Sequence, residues 1–196
     1  MTKIPDKKSL REMRRSATKS HESDGNYRAA ASGGFYAVML LAIVLALAMR
    51  LFIFEPTVVD GESMFPTLYH EERILIDKTA YWFDEPERGD IIICFYPGYT
   101  ETCVKRVVAL PGETISIHQG CVYIDGEPLQ ESEYWNDVID ADLTEQVVPD
   151  NCVFVMGDNR NESKDSRTDT VGPIPYYRIT GKVLASFWPI KYARSF

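Results

Sequence analysis

The sequence predicts an all-β domain behind a single N-terminal apolar helix. Three observations predict it. One uncharged apolar run extends from Ala29 to Met49. Short segments rich in β-branched residues follow it, punctuated by Pro and Gly. No apolar period of 3.6 residues recurs beyond the run, so no second long helix is expected.

The run AAASGGFYAVMLLAIVLALAM is 21 residues long. A helix of roughly 20 apolar residues spans the ~30 Å hydrocarbon core of a bilayer. Arg50 follows it, close enough to one end for its stem to reach the interface. The run is apolar on every face, which sets it against the core helix of a soluble protein. It is longer than the apolar region of a cleaved signal peptide, and its charged leader is also long. Residues 29–54 are therefore read as a retained anchor that embeds in a lipid bilayer.

The net charge of −8 hides a division. Residues 1–34 sum to +4 and residues 55–196 to −13. The basic residues Lys3, Lys7, Lys8, Arg11, Arg14, Arg15, Lys19 and Arg28 should hold the leader, 1–28, in the cytoplasm. The body, 55–196, then lies outside the cell membrane. The leader is polar and is expected to be irregular. An acidic body excludes nucleic acid as a partner, because phosphate contacts need a basic surface.

Within the body, strands are expected at 57–59, 73–76, 91–95, 104–110, 114–117, 121–124, 152–155 and 183–187. They suggest a barrel-like domain with long connections. Residues 113–150 are read as a smaller excursion, and 131–150 within it are acidic and weakly patterned. Cys94, Cys103, Cys121 and Cys152 are either disulfide partners or buried thiols. Cys94 and Cys103 flank Pro97-Gly98 and could face each other across a hairpin. No C-x-x-C spacing exists and only three His are present, so neither a metal site nor a cofactor is expected.

Three stretches could carry chemistry. Asp60-Gly61-Glu62-Ser63-Met64-Phe65-Pro66 suits an exposed turn presenting a hydroxyl. Lys105 stands in the apolar run Cys103 to Leu110. If buried there its pKa falls, and a neutral Lys near pH 7–8 can act as a general base for a Ser hydroxyl. On an exposed edge strand the same Lys would only guard against aggregation. Residues 157–167 (GDNRNESKDSR) are either a solvated loop or an ion-pair network bracing a site from behind.

In this order, behind an anchor, the stretches resemble the motif set of the bacterial type I signal peptidases. Ser63 to Thr67 resembles the nucleophile box, and Arg88-Gly89-Asp90-Ile91-Ile92 a structural strand box. Lys105 to Gly112 resembles the lysine box. Gly157-Asp158-Asn159-Arg160 with Ser163, Asp165, Ser166 and Arg167 resembles the last box. The resemblance implies a membrane-bound serine endopeptidase that removes signal peptides from secreted preproteins near the translocation machinery. Ser63 would be its nucleophile and Lys105 its base. Ser163 would orient Lys105, and Asp165 with Arg167 would form a supporting salt bridge. Many relatives carry a Ser two residues before the nucleophile as an oxyanion donor. Gly61 stands there, as in short Gram-positive members, which leaves that task to backbone N–H groups. The resemblance also implies an extended substrate with small residues before the cut, bound as an added strand near Met64, Phe65 and Pro66. Tyr81-Trp82-Phe83 and Phe65 are either an apolar rim at the membrane or ordinary core. A catalytically specialised or non-catalytic relative serving pilus-type surface-protein assembly is the alternative, and retention of both Ser63 and Lys105 opposes it.

Overall fold

A computed structural model describes residues 7–131, 134–135 and 138–196. The first six leader residues, Lys3 among them, and positions 132–133 and 136–137 of the acidic excursion lie outside the described residues. The chain divides into two compact units, Met1–Met49 and Arg50–Phe196.

The helix α1 occupies Lys7–Phe52. Within it, Phe35–Phe52 is long and apolar enough to cross a membrane, and none of that stretch is buried against protein. The leader was expected to be irregular, but it is helical from Lys7 onward. Leu10, Arg11, Glu12, Met13, Arg14, Arg15 and Ala17 are strong helix formers. No Pro follows before Pro56, so nothing breaks the helix where the polarity changes.

Among the described residues the second unit holds twelve strands. Eight overlap the expected segments: β1 (Phe54–Val58), which shares only 57–58 with the expected 57–59, β2 (Arg73–Asp77), β3 (Ile91–Phe95), β4 (Thr102–Ala109), β5 (Thr114–His118), β6 (Cys121–Ile124), β9 (Cys152–Met156) and β11 (Ile179–Trp188). Four were not expected: β7 (Glu127–Pro128), β8 (Leu143–Val147), β10 (Ile174–Pro175) and β12 (Arg194–Ser195). Three of these are two-residue pairings, too short to carry a pattern. The fourth, β8, reads Leu-Thr-Glu-Gln-Val with mostly exposed side chains, so the period-2 signal of a half-buried strand is faint.

The larger sheet runs β1-β2-β11-β3-β4-β9-β10, with β12 beside β11. Its two end strands, β1 and β10, are not paired to each other, so it is a half-barrel rather than a closed one. The smaller sheet runs β7-β6-β5-β8. The apolar run of β3 is explained by burial on both faces. Ile91 and Ile93 enter a core with Val59, Met64, Leu68 and Val183. Ile92 and Cys94 enter another with Val107, Val155 and Ile174. A third core joins the small sheet to the large one, where Phe154 and Met156 of β9 meet Ile115, Ile117 and Val122.

Phe154 is fully buried in that joining core. Phe154→Ala should cost about 3–5 kcal/mol. Urea unfolding of the full chain in detergent, followed by tryptophan fluorescence, should show the midpoint fall accordingly.

Candidate active site

Ser63 lies in a tight turn that follows β1. Phe65 N–H bonds the Glu62 carbonyl at 3.0 Å, and Leu68 N–H bonds the Met64 carbonyl at 2.8 Å. Gly61 permits the chain to enter this turn, because its φ of +94° is a conformation that side-chain-bearing residues rarely adopt. Met64 and Leu68 pin the turn into the core, while Phe65 stays about half exposed and Pro66 exposed. Ser63 itself is half-buried.

Lys105 comes from the middle of β4 and is 4% exposed. Its Nζ lies 2.6 Å from Ser63 Oγ and 2.9 Å from the Val104 carbonyl oxygen. Among the described residues it has no carboxylate within ion-pair distance. Burial therefore dominates and pushes its pKa below the ordinary lysine value. Cys103, Asp165, Cys94 and Asp158 pull in the opposite direction without overcoming it.

The segment 157–167 braces this pair. Asn159 N–H bonds the Ser63 carbonyl at 3.0 Å, and Asn159 Nδ2 bonds the Glu62 carbonyl at 3.2 Å. Gly157 N–H donates to Asp165 Oδ2 at 3.0 Å. Asp165 is fully buried and holds Arg167 through Nε at 2.8 Å, the pairing expected of these two residues. Gly157 must be glycine here, since a Cβ would fall 2.3 Å from the Ser63 carbonyl oxygen and 2.2 Å from Ser163 Oγ. Ser163 is placed at the site but not as expected. Its hydroxyl is buried with no hydrogen-bond partner among the described residues, so the expected bond to Lys105 is not made. The oxygen stands over Gly157 instead. The Gly61 N–H is also committed elsewhere, donating to His70 Nδ1 at 3.1 Å, so it is not free for an oxyanion. No backbone carbonyl among the described residues takes the Ser63 N–H.

Ser63 and Lys105 open onto a cleft of about 800 Å³. Two stretches of backbone edge it. On one side Thr57, Val58 and Val59 line the cleft, and among the described residues β1 pairs only with β2. On the other, Thr102 to Lys105 pair with β3, and pairing of β4 to β9 begins only at Arg106. Each stretch therefore has an edge without a strand partner.

The family Signal peptidase, peptidase S26, matches residues 33–188. The chain belongs to that family. Similar relatives include a probable signal peptidase I-1 of Synechocystis, 43% identical over 161 residues, covering 78% of this chain and 80% of the relative. A signal peptidase I of Leptolyngbya laminosa is 39% identical and covers 76% of each chain. Signal peptidase I S of Bacillus subtilis is 37% identical, covering 80% of this chain and 89% of the relative. A crystal structure of a signal peptidase I from Enterococcus faecalis aligns with 50% of this chain and 97% of its own at 30% identity and a TM-score of 0.45.

Three features of this signal peptidase escaped the sequence reading. Arg106 binds Asp158 in two parallel hydrogen bonds of 2.8 and 2.7 Å. Its guanidinium lies 4.0 Å from the centre of the Tyr134 ring. Arg160 is clamped by Glu131 at 2.6 and 2.5 Å and donates from Nε to the Gly157 carbonyl at 3.0 Å. The alternation of acid and base in 157–167 signalled a network, but Glu131 and Tyr134 are distant in sequence and carry no local signal. Trp82 and Phe83 are 62% and 94% exposed, which removes the ordinary-core reading for both.

The Arg160 side chain is fully buried and that of Glu131 is 9% exposed. Glu131→Ala leaves that guanidinium without its carboxylate and should cost about 3–5 kcal/mol. Thermal unfolding of the variant and parent in the same detergent checks this.

Proposed function

We propose that Ser63 and Lys105 are the catalytic dyad with which this membrane serine endopeptidase removes signal peptides from secreted preproteins. The 2.6 Å approach of a buried, carboxylate-free Lys105 to Ser63 carries the reading. Neutral Lys105 accepts the Ser63 proton while Oγ attacks the scissile carbonyl. The tetrahedral oxyanion is met by the Ser63 N–H. Collapse expels the new amine, which takes the proton from the Lys105 ammonium. Water, deprotonated by Lys105, then hydrolyses the acyl-enzyme ester. Ser163, unpartnered beside Ser63, is the hydroxyl available to steady Lys105 once substrate has closed the site. Asp165, Arg167 and the 157–160 turn hold the Ser63 backbone.

The substrate segment lies extended between the free edges at 57–59 and 102–104, adding a strand to the sheet. Main-chain bonds give affinity, and shallow pockets select small residues before the cut. The leader, 1–28, is cytoplasmic, the anchor, 29–54, crosses the membrane, and the catalytic body, 55–196, faces outward. Near the translocation machinery, that anchoring raises the effective concentration of emerging cleavage sites. Exposed Trp82, Phe83 and Phe65 suit an interfacial rim at the lipid surface.

Ser63→Ala and Lys105→Ala should each lower cleavage of a detergent-solubilised preprotein by at least about 10⁴-fold without unfolding the domain. Near-parental activity in either folded variant overturns the dyad. Cleavage should also rise with pH as Lys105 loses its proton. Because burial lowers that pKa, the midpoint of the rise should fall below the ordinary lysine value of about 10.4. A kcat/KM profile from pH 5 to 11 measures it.

A further inference from the structure

Cys94 and Cys103 stand directly opposite each other in the β3–β4 hairpin. Their sulfur atoms are 3.5 Å apart and unbonded. The reaction described above uses neither. Facing positions in an antiparallel ladder hold their Cα atoms about 4.5–5.5 Å apart. That separation lies within the range a disulfide spans. Closing the sulfurs to a bond of about 2 Å therefore asks for side-chain rotation, not a shift of the strands. Cys94 is fully buried. Cys103 is half-buried and lines the same cleft as Ser63 and Lys105. A small oxidant entering the cleft meets Cys103 first.

We propose that Cys94 and Cys103 form a reversible thiol–disulfide site in the wall of the cleft, oxidised by a small-molecule disulfide that enters it. The two thiols have different tasks. Cys103 is the one that ionises. A hydrogen bond from Cys94 lowers its pKa, aided by Tyr96 and the nearby Lys105 against the opposing effect of burial. Cys94 is held protonated by that same hydrogen bond and by burial. With glutathione disulfide as oxidant, the Cys103 thiolate attacks one glutathione sulfur. The glutathione S–S bond breaks, one glutathione thiolate leaves, and a mixed disulfide forms on Cys103. The departing thiolate takes up a proton as Cys94 loses its own. The Cys94 thiolate then attacks the Cys103 sulfur and expels the second glutathione. Two protein thiols are oxidised and one glutathione disulfide is reduced to two glutathione thiols.

The modification also reaches Lys105. The groups that bear on it are Ser63 from the turn after β1, Cys103 on β4, Cys94 on β3, and Asp158 and Asp165 from the segment after β9. Asp158 is committed to Arg106, and Asp165 to Arg167. Oxidation leaves those carboxylates unchanged and replaces an ionisable thiol by a neutral disulfide. A Cys103 thiolate favours the protonated amine, so its removal favours the neutral one. The oxidised enzyme should therefore reach a given activity at lower pH. This second consequence rests on Lys105 being the base; the cross-link itself does not.

The test treats the full chain in detergent with glutathione disulfide or with reduced glutathione, blocks remaining thiols with iodoacetamide, and digests with trypsin. Cleavage after Arg88 and Lys105 puts both cysteines on one peptide, Gly89–Lys105, while Cys121 and Cys152 share Val107–Arg160. After oxidation, Gly89–Lys105 should lack both alkyl groups and the mass of two hydrogens, and dithiothreitol should restore them. Cys94→Ala should instead trap glutathione on Cys103. Full alkylation of Gly89–Lys105 while Cys121 carries glutathione overturns the site. In cleavage assays on the acid limb, the cross-linked enzyme should be faster than the reduced one, with the limb displaced to lower pH. Cys103→Ala, which has no thiolate to lose, should lack this response. An unmoved limb in fully cross-linked enzyme overturns the coupling. A cross-link that forms in an enzyme whose Lys105→Ala variant stays active keeps the thiol site and overturns the dyad.

Discussion

The structure turns on one ammonium group removed from water without a carboxylate to balance it. Taking an ion out of water costs several kcal/mol even after relaxation. The other basic residues around the site meet that cost with a partner. Arg106 has Asp158, Arg160 has Glu131, Arg167 has Asp165, and Lys182 has Asp90 at 2.6 Å. Lys105 has a serine hydroxyl and a main-chain carbonyl, which hydrogen-bond it but do not neutralise it. The least costly response is loss of its proton. A neutral amine against a hydroxyl is what a serine nucleophile requires at moderate pH.

Holding that unpaired group in place is the work of the rest of the site. The apolar run around Lys105 supplies the desolvation, and β3 and β9 fix the register of β4 on either flank. The 157–160 turn fixes the opposite partner, because Asn159 grips the backbone at Glu62 and Ser63. The turn is fixed in its own right by Asp165 at Gly157 N–H and by Arg160 at the Gly157 carbonyl. Arg160 depends on Glu131, which enters from the middle of the excursion. The ion pairs thus act on Ser63 through the backbone, while none of them touches Lys105.

Much of this was legible because it is written locally. The strands at β3, β4 and β9 announce themselves as apolar β-branched runs, and Lys105 is conspicuous as the charge inside one of them. The pairing of Cys94 with Cys103 followed from a Pro-Gly turn midway between them. What could not be read depends on tertiary placement. Nothing near Glu131 indicates that it clamps Arg160 across 29 positions. Nothing near Gly61 indicates that His70 takes its N–H. The Ser163 hydroxyl follows the box pattern, yet it makes no hydrogen bond among the described residues, and a sequence pattern does not specify which way a hydroxyl turns. The leader is helical for another reason: polarity says where a segment sits, whereas the absence of Pro between Lys7 and Phe52 and the density of helix formers decide its backbone.

The most direct test of the central claim follows the ionisation of Lys105 itself rather than its effect on turnover. In Ser63→Ala protein labelled with ¹³C at lysine Cε, the Lys105 resonance can be assigned by its loss in the Ser63→Ala, Lys105→Ala double variant and followed from pH 5 to 11. The account predicts a resonance that titrates below the ordinary lysine value of about 10.4, as a desolvated amine must. A Lys105 that titrates at or above that value would contradict the claim that burial readies this lysine to take the Ser63 proton.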